Sequence, residues 1–296
     1  MIPGQFDYHA PATLDEALSL LARHPDEAKI LAGGHSLVPA MKLRLAMPQV
    51  LIDIGRIKDL AYIREEGDQI LIGAMATHYQ IESSDLLGER CPLMAETASR
   101  IGDVQVRNRG TIGGSLAHAD PAADYPAAIL ALGAEIIAAS PNGERAIKAE
   151  DFFVDMLTTA LDAGEIIREI RINRPQGRYG QAYRKAAQPA SGFAVIGAAA
   201  HVALDNDGNC QRASIGITGL GSKAFLLEKT AAGLAGKNLS GADILSNDEV
   251  AQELAVLKAS GELNVNGDIY ASEDYRLHLA TVYVRRAVQA AVKRTE

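Results

Sequence analysis

Apolar positions recur with two different periods, and these divide the chain into helical and extended segments. In ATLDEALSLLARH (residues 12–24), Leu14, Ala17, Leu18 and Leu21 fall at helical spacing, with Thr13 as N-cap and Glu16 as its capping-box partner. The runs AKILAG and VLIDIG, bounded by glycine, read as strands flanking a glycine-containing loop, so a small βαβ-like unit is expected to close near Arg56. Beyond it, QILIGAMAT reads as a strand and LLGERCPLMAETASRIG as one helix, and Pro126–Leu132 as another. AEIIAASPNGERAIKAEDFF has the form of a hairpin turning on Asn142-Gly143, a pair suited to the positive φ angles of a primed turn. EIIREIRI alternates like a strand.

The turn formers NRPQG (Asn173–Gly177) mark a boundary. After them, FAVIGAAAHVAL and NCQRASIGITGL are expected to pair around an Asp-Asn-Asp-Gly turn, and the chain runs into a long helix with Leu279, Val282, Val284, Ala287 and Val288 mostly on one side. This predicts units at 1–56, 57–177 and 178–296, the last a short antiparallel sheet with helices.

Charge and cysteine count narrow the function. A formal charge of −8 argues against a binder of phosphate backbones, so nucleic acid is not an expected partner. No secretory leader and no membrane-spanning apolar stretch is evident, which reads as a cytoplasmic chain. Cys91 and Cys210 lack the spacing of a zinc or iron–sulfur site and read as packing residues.

The candidate chemistry lies in two glycine pairs, AGGHS (Ala32–Ser36) and TIGGS (Thr111–Ser115). One Gly-Gly is ordinarily a tight turn. Two copies, each with a serine within two residues after the pair, suggest amide nests for the two phosphates of a dinucleotide. Neither matches G-x-G-x-x-G or the phosphate-binding loop G-x-x-x-x-G-K-S/T, so Rossmann and P-loop folds are disfavoured. His35, His118 and Asp120 have no nucleophile or acid partner in a recognisable pattern. Lys185, taken alone, reads as a surface lysine. No catalytic or metal-binding residue is assigned.

The stretches LAGGHSLVPAMKLRLAMPQVLIDI, GTIGGSLAHADPAADYPAAILALGA and GEIIREIRI resemble the FAD-binding medium subunits of the molybdenum hydroxylases, especially the carbon monoxide dehydrogenase flavoprotein type. The likeness runs from Phe6 to the C-terminal helix and is looser over the last hundred residues. It implies an α+β fold: a two-subdomain FAD-binding unit of the vanillyl-alcohol-oxidase-like (PCMH) type, followed by a C-terminal antiparallel sheet and helix domain. It implies FAD contacts from Ala32, Gly33, Gly34, His35, Ser36 and Leu37, and from Thr111, Ile112, Gly113, Gly114 and Ser115. By the same resemblance Ile101 and Ile167 are apolar neighbours of the flavin, Asp124 bonds sugar or ribityl hydroxyls, and Lys185 lies near the isoalloxazine. Phe193 stands where the carbon monoxide type often has a tyrosine, which keeps the ring and loses the hydroxyl. The implied role is electron transfer within a heterotrimer, in all a dimer of heterotrimers. A large molybdopterin subunit does the substrate chemistry, a small subunit carries 2Fe–2S clusters, and an external acceptor takes the electrons. Two cysteines cannot ligate those clusters, in keeping with this division. A stand-alone FAD oxidoreductase and a flavin-free scaffold are the alternatives.

Overall fold

The computed structural model describes residues 1–239 and 244–295. Near the N-terminus, strands Asp7–His9, Val50–Asp53 and Ala28–Leu31 form a parallel sheet with Val50–Asp53 in the centre. Helix Leu14–Arg23 covers it through Ala17, Leu18 and Leu21, all buried. Its cap differs slightly from expectation. Thr13 Oγ1 accepts from the Glu16 amide at 3.2 Å, but Glu16 reaches back to the amide of Ala12 at 2.8 Å, one residue before the cap.

The middle of the chain builds a five-stranded antiparallel sheet in the order Ile63–Glu66, Gln69–Gly73, Ile166–Asn173, Glu135–Ser140, Gly143–Lys148. One face carries Ile70, Ile72, Ile170 and Ile172, fully buried under short helices. Two expectations need correction here. The stretch read as one helix is two, Asp85–Arg90 and Pro92–Ser99. Cys91 between them is extended at φ −149°, and Pro92 has no amide to continue the first helix but a φ suited to starting the second. The hairpin does not turn on Asn142-Gly143 either. Ser140 pairs with Gly143, so Pro141 and Asn142 form the loop, and of Pro141, Asn142 and Gly143 only the glycine has a positive φ, at 124°. Proline cannot adopt the positive φ a primed turn needs at that position.

Strands Arg178–Ala187, Ala194–Leu204, Cys210–Thr218 and Phe225–Leu226 follow one another in an antiparallel sheet. The turn after the second strand is held by Asp205, whose Oδ1 accepts from the amides of Asp207 at 2.9 Å and Asn209 at 2.8 Å. This sheet is buried on both faces. Ala182, Ala198, Ala200 and Val202 point to the long helix Glu273–Lys293, whereas Tyr183 and Ala199 point into the core of the middle unit. Strand and helix approach backbone to backbone at Gly180, where a Cβ would overlap the Ala291 carbonyl. Alternation therefore aims Tyr183 towards the glycine-rich stretches of the middle unit.

Cys91 and Cys210 are both buried and unpaired, and burial pushes the Cys91 thiol up to about 12.

Candidate functional site

The first glycine pair follows strand Ala28–Leu31 and leads into helix Leu37–Lys42. Gly34 has φ +80°, a conformation that favours glycine. Among the described residues, nothing accepts a hydrogen bond from the amides of Gly33, Gly34, His35, Ser36 or Leu37. These five donors lie in succession at a turn that leaves His35 and Ser36 exposed. Consecutive free amides of this kind form a concave, positively polarised anion site without any cationic side chain.

The second glycine pair is built differently. It is the first turn of helix Ile112–His118, capped by Thr111, whose Oγ1 accepts from Gly114 at 3.2 Å. The remaining amides are engaged: Ile112 donates to Ala76 O at 3.1 Å, Gly113 to Ala74 O at 2.9 Å and Ser115 to Thr111 O at 3.0 Å. The idea of two equivalent amide nests is corrected on this point, because helix formation and the adjoining strand end consume the second set. What this turn offers is the half-buried surface of Gly114 and Ser115, with the Ser115 hydroxyl uncommitted among the described residues.

The glycines serve mainly to bring these pieces into contact. A Cβ on Gly33 would overlap the Arg109 carbonyl and lie 2.7 Å from Gly110 Cα. One on Gly113 would lie 2.6 Å from Ala74 Cβ, and one on Gly110 would lie 2.5 Å from His78 Nε2. Gly114 faces Ala32, completing the junction between the two turns. His78 forms the wall behind it, buried with its Nδ1 unpaired among the described residues and its ring 5.3 Å from that of Tyr125. Burial, with smaller effects from His35 and Arg107, depresses the His78 pKa to about 4, so the ring is neutral at pH 7.

A second group of residues converges on Asp124. Lys185 Nζ donates to Asp124 Oδ2 and to the Arg100 carbonyl, both at 2.8 Å, and Tyr183 OH donates to Asp124 Oδ1 at 2.5 Å. The Lys185 side chain is only 3% exposed and that of Asp124 5%, so the reading of Lys185 as a surface lysine is overturned. Burial is the largest influence on Asp124 and raises its pKa to about 6, against the opposing pull of Lys185 and Tyr183.

Ile101 and Ile167 belong to the apolar cluster of the middle unit, Ile101 half-buried and Ile167 fully so at a bulge in its strand. Phe193 is 47% exposed at the tip of the hairpin that joins strands Arg178–Ala187 and Ala194–Leu204, where Gly192 packs on Gly102. The segment from Ile101 to Gly110 links the two groups. Arg107 donates to the carbonyls of Ile101 at 3.1 Å and Gly102 at 3.2 Å and pairs with Glu82 at 2.6 Å, while the Gly110 amide bonds Val106 O.

Tyr183 and Arg107 escape sequence reasoning. Tyr183 sits two residues before Lys185 on the same face of a strand, a period-2 signal that finds it only once the strand is recognised. Arg107 stands in RNRG, where nothing distinguishes it from its neighbours.

A dinucleotide's diphosphate matches the free amides, hydroxyl donors suit its sugars, and a buried lysine–aspartate pair beside half-buried isoleucine suits a heteroaromatic ring with polar edges. Fold and site together define a dinucleotide-binding protein with a C-terminal sheet-and-helix part. Comparison with known proteins narrows the class. Residues 4–175 match the family described as the FAD binding domain in molybdopterin dehydrogenase, and residues 181–291 match the CO dehydrogenase flavoprotein C-terminal domain. The chain is 40% identical over 296 residues to the carbon monoxide dehydrogenase medium chain of Afipia carboxidovorans, covering 100% of both. It is 36% identical to the 6-hydroxypseudooxynicotine dehydrogenase complex subunit alpha of Paenarthrobacter nicotinovorans, covering 99% of this chain and 97% of that one. A crystal structure of the Cu,Mo-CO dehydrogenase contains a chain that superposes with a TM-score of 0.91 at 38% identity, covering 99% of this chain and 100% of that one. The chain belongs to the FAD-binding medium subunits of the molybdenum hydroxylases. It is a FAD-binding oxidoreductase subunit, and no helix among the described residues is long and apolar enough to cross a membrane.

Proposed function

We propose that this chain is the flavoprotein of a carbon monoxide dehydrogenase-like complex, and that its FAD lies along the path from the first glycine turn to the Asp124–Lys185 pair. Bound FAD would take electrons from the 2Fe–2S clusters of a small subunit and release them to an external acceptor, while substrate is oxidised in a large molybdopterin subunit. The observation that carries this reading is the run of five free amides from Gly33 to Leu37. These amides would hold the diphosphate, with Ala32 closing the turn. Thr111, Ile112, Gly113, Gly114 and Ser115 would support the same turn and present the Ser115 hydroxyl.

Asp124 would accept from a ribityl or sugar hydroxyl, and Lys185 would set a positive charge beside the polar edge of the isoalloxazine, favouring the negative charge gained on reduction. Ile101 and Ile167 would pack on the ring, and Phe193 would cover its exposed side. Its lack of a hydroxyl bears on acceptor access. A cytoplasmic dimer of heterotrimers is the favoured assembly, and the substrate is set in the large subunit, since medium-chain relatives serve carbon monoxide, 6-hydroxypseudooxynicotine and glyceraldehyde dehydrogenases alike.

Purification of the chain with its partner subunits tests the reading. FAD absorbance together with iron and molybdenum in a stable complex is expected. FAD on a chain that turns over alone, with no partners, would instead indicate a stand-alone oxidoreductase, and a flavin-free complex a scaffold.

A further inference from the structure

We propose that Tyr183 is a positioning residue that keeps Asp124 ionised, and so keeps Lys185 charge-compensated, at the flavin. The inference rests on the placement of Asp124 and Lys185 beside the isoalloxazine argued above.

The carboxylate of Asp124 has two donors, one on each oxygen: Lys185 Nζ on Oδ2 at 2.8 Å and Tyr183 OH on Oδ1 at 2.5 Å. The Tyr183 side chain has no room for another use. It is fully buried, its hydroxyl occupies the space a Cβ on Gly197 would fill, and its amide is fixed by Glu96 Oε2 at 2.9 Å. Burial, together with the neighbouring Asp124 carboxylate, holds the phenol protonated well above its usual range, so it is a permanent donor. Lys185 is equally constrained, its ammonium bridging Asp124 and the Arg100 carbonyl.

The titratable and charged groups around Asp124 are few. Tyr183 and Lys185 face it from strand Arg178–Ala187, and Arg100 lies near at the end of helix Pro92–Ser99. Tyr125 adjoins it in the chain and is buried with an unpaired hydroxyl, in the combined field of Asp124 and Glu82 and beside the neutral ring of His78. None of these besides Tyr183 and Lys185 donates a hydrogen bond to the carboxylate among the described residues. Loss of the phenol therefore leaves a buried carboxylate with one donor, and the balance moves towards its neutral form. A protonated Asp124 no longer compensates Lys185, and the site gains one positive charge.

The test uses Tyr183→Phe and Asp124→Asn in the assembled complex, and the FAD-free chain in parallel. Infrared titration of the FAD-free chain follows the carboxylic C=O band of Asp124, assigned by its absence in Asp124→Asn. Tyr183→Phe is expected to move its midpoint up by about one pH unit. In the complex, the pH at which the flavin midpoint potential changes slope should move in the same direction, with a higher potential at pH 7 and convergence on the wild type in alkali. In the Asp124→Asn background, where that band is missing, Tyr183→Phe should leave the flavin potential unchanged at every pH. An unmoved infrared midpoint, or an equal shift of potential in the Asp124→Asn background, overturns the proposal. An infrared shift with an unchanged potential upholds the hold of Tyr183 on Asp124 and instead overturns the placement of the pair beside the flavin.

Discussion

Gly33 is small because the Arg109 carbonyl occupies the volume a side chain would need, not because a ligand must pass. Gly33→Ala should force the two turns apart, lowering stability by about 1–3 kcal/mol and lowering FAD occupancy with it; denaturant unfolding and the flavin-to-protein absorbance ratio report both. Gly88 is the control. It is exposed near the end of helix Asp85–Arg90, and nothing lies within 4 Å of where a Cβ would sit, so Gly88→Ala should raise stability by about 0.5 kcal/mol and leave FAD untouched. His78 gives a pH prediction. Its folded pKa of about 4 lies below the 6.5 of an ordinary histidine, so the unfolded chain binds the extra proton first. The stability this represents is complete above pH 6.5 and is lost as pH falls towards 4, by up to about 3 kcal/mol. Asp124 shifts the opposite way and offsets part of the loss between its ordinary 3.8 and about 6. Chemical denaturation at pH 7.5 and pH 5 should show a smaller difference in His78→Gln than in the wild type.

At the scale of elements, the helix Ile112–His118 depends on the Thr111 cap, whose oxygen holds the Gly114 amide. Thr111→Ala should cost about 1 kcal/mol and weaken FAD retention, whereas Thr111→Ser should restore both; fluorescence-monitored FAD release distinguishes them. Asp205→Ala, which removes the acceptor in a distant hairpin turn, should destabilise that turn without changing FAD release. The elements also show what the sequence makes legible. Leu14, Ala17, Leu18 and Leu21 announce their helix because one face is buried and the other is wet. Strand Arg178–Ala187 has no such contrast: RYGQAYRKAA mixes small and polar residues, and its sheet is covered on both sides. Tyr183 is hidden with it. The glycine pairs stand out by composition, but their inequality does not, since whether an amide is free depends on Ala74 and Ala76, far away in sequence.

Across the whole molecule, Glu96 is one of several ties between the middle part of the chain and the C-terminal sheet. Its oxygens accept from Arg184 at 2.6 Å, Arg294 at 2.7 Å and the Tyr183 amide at 2.9 Å, joining helix Pro92–Ser99 to the C-terminal sheet and the end of the long helix. These groups are partly exposed, so solvent screening reduces the value of the network. Glu96→Ala should cost about 1–3 kcal/mol and separate the melting of the two units, which calorimetry would register as a broadened or divided transition. The faces by which the sheets meet are not readable from the sequence, because alanine-rich strands such as AVIGAAAHVAL bear no mark of which side each residue takes.

The contact between Gly33 and the Arg109–Gly110 backbone has a further consequence for engineering. Neither turn can be transplanted alone. A graft of Ala32–Ser36 into another scaffold arrives without the carbonyl wall that shapes it, so both turns, with their spacing, must travel as one cassette.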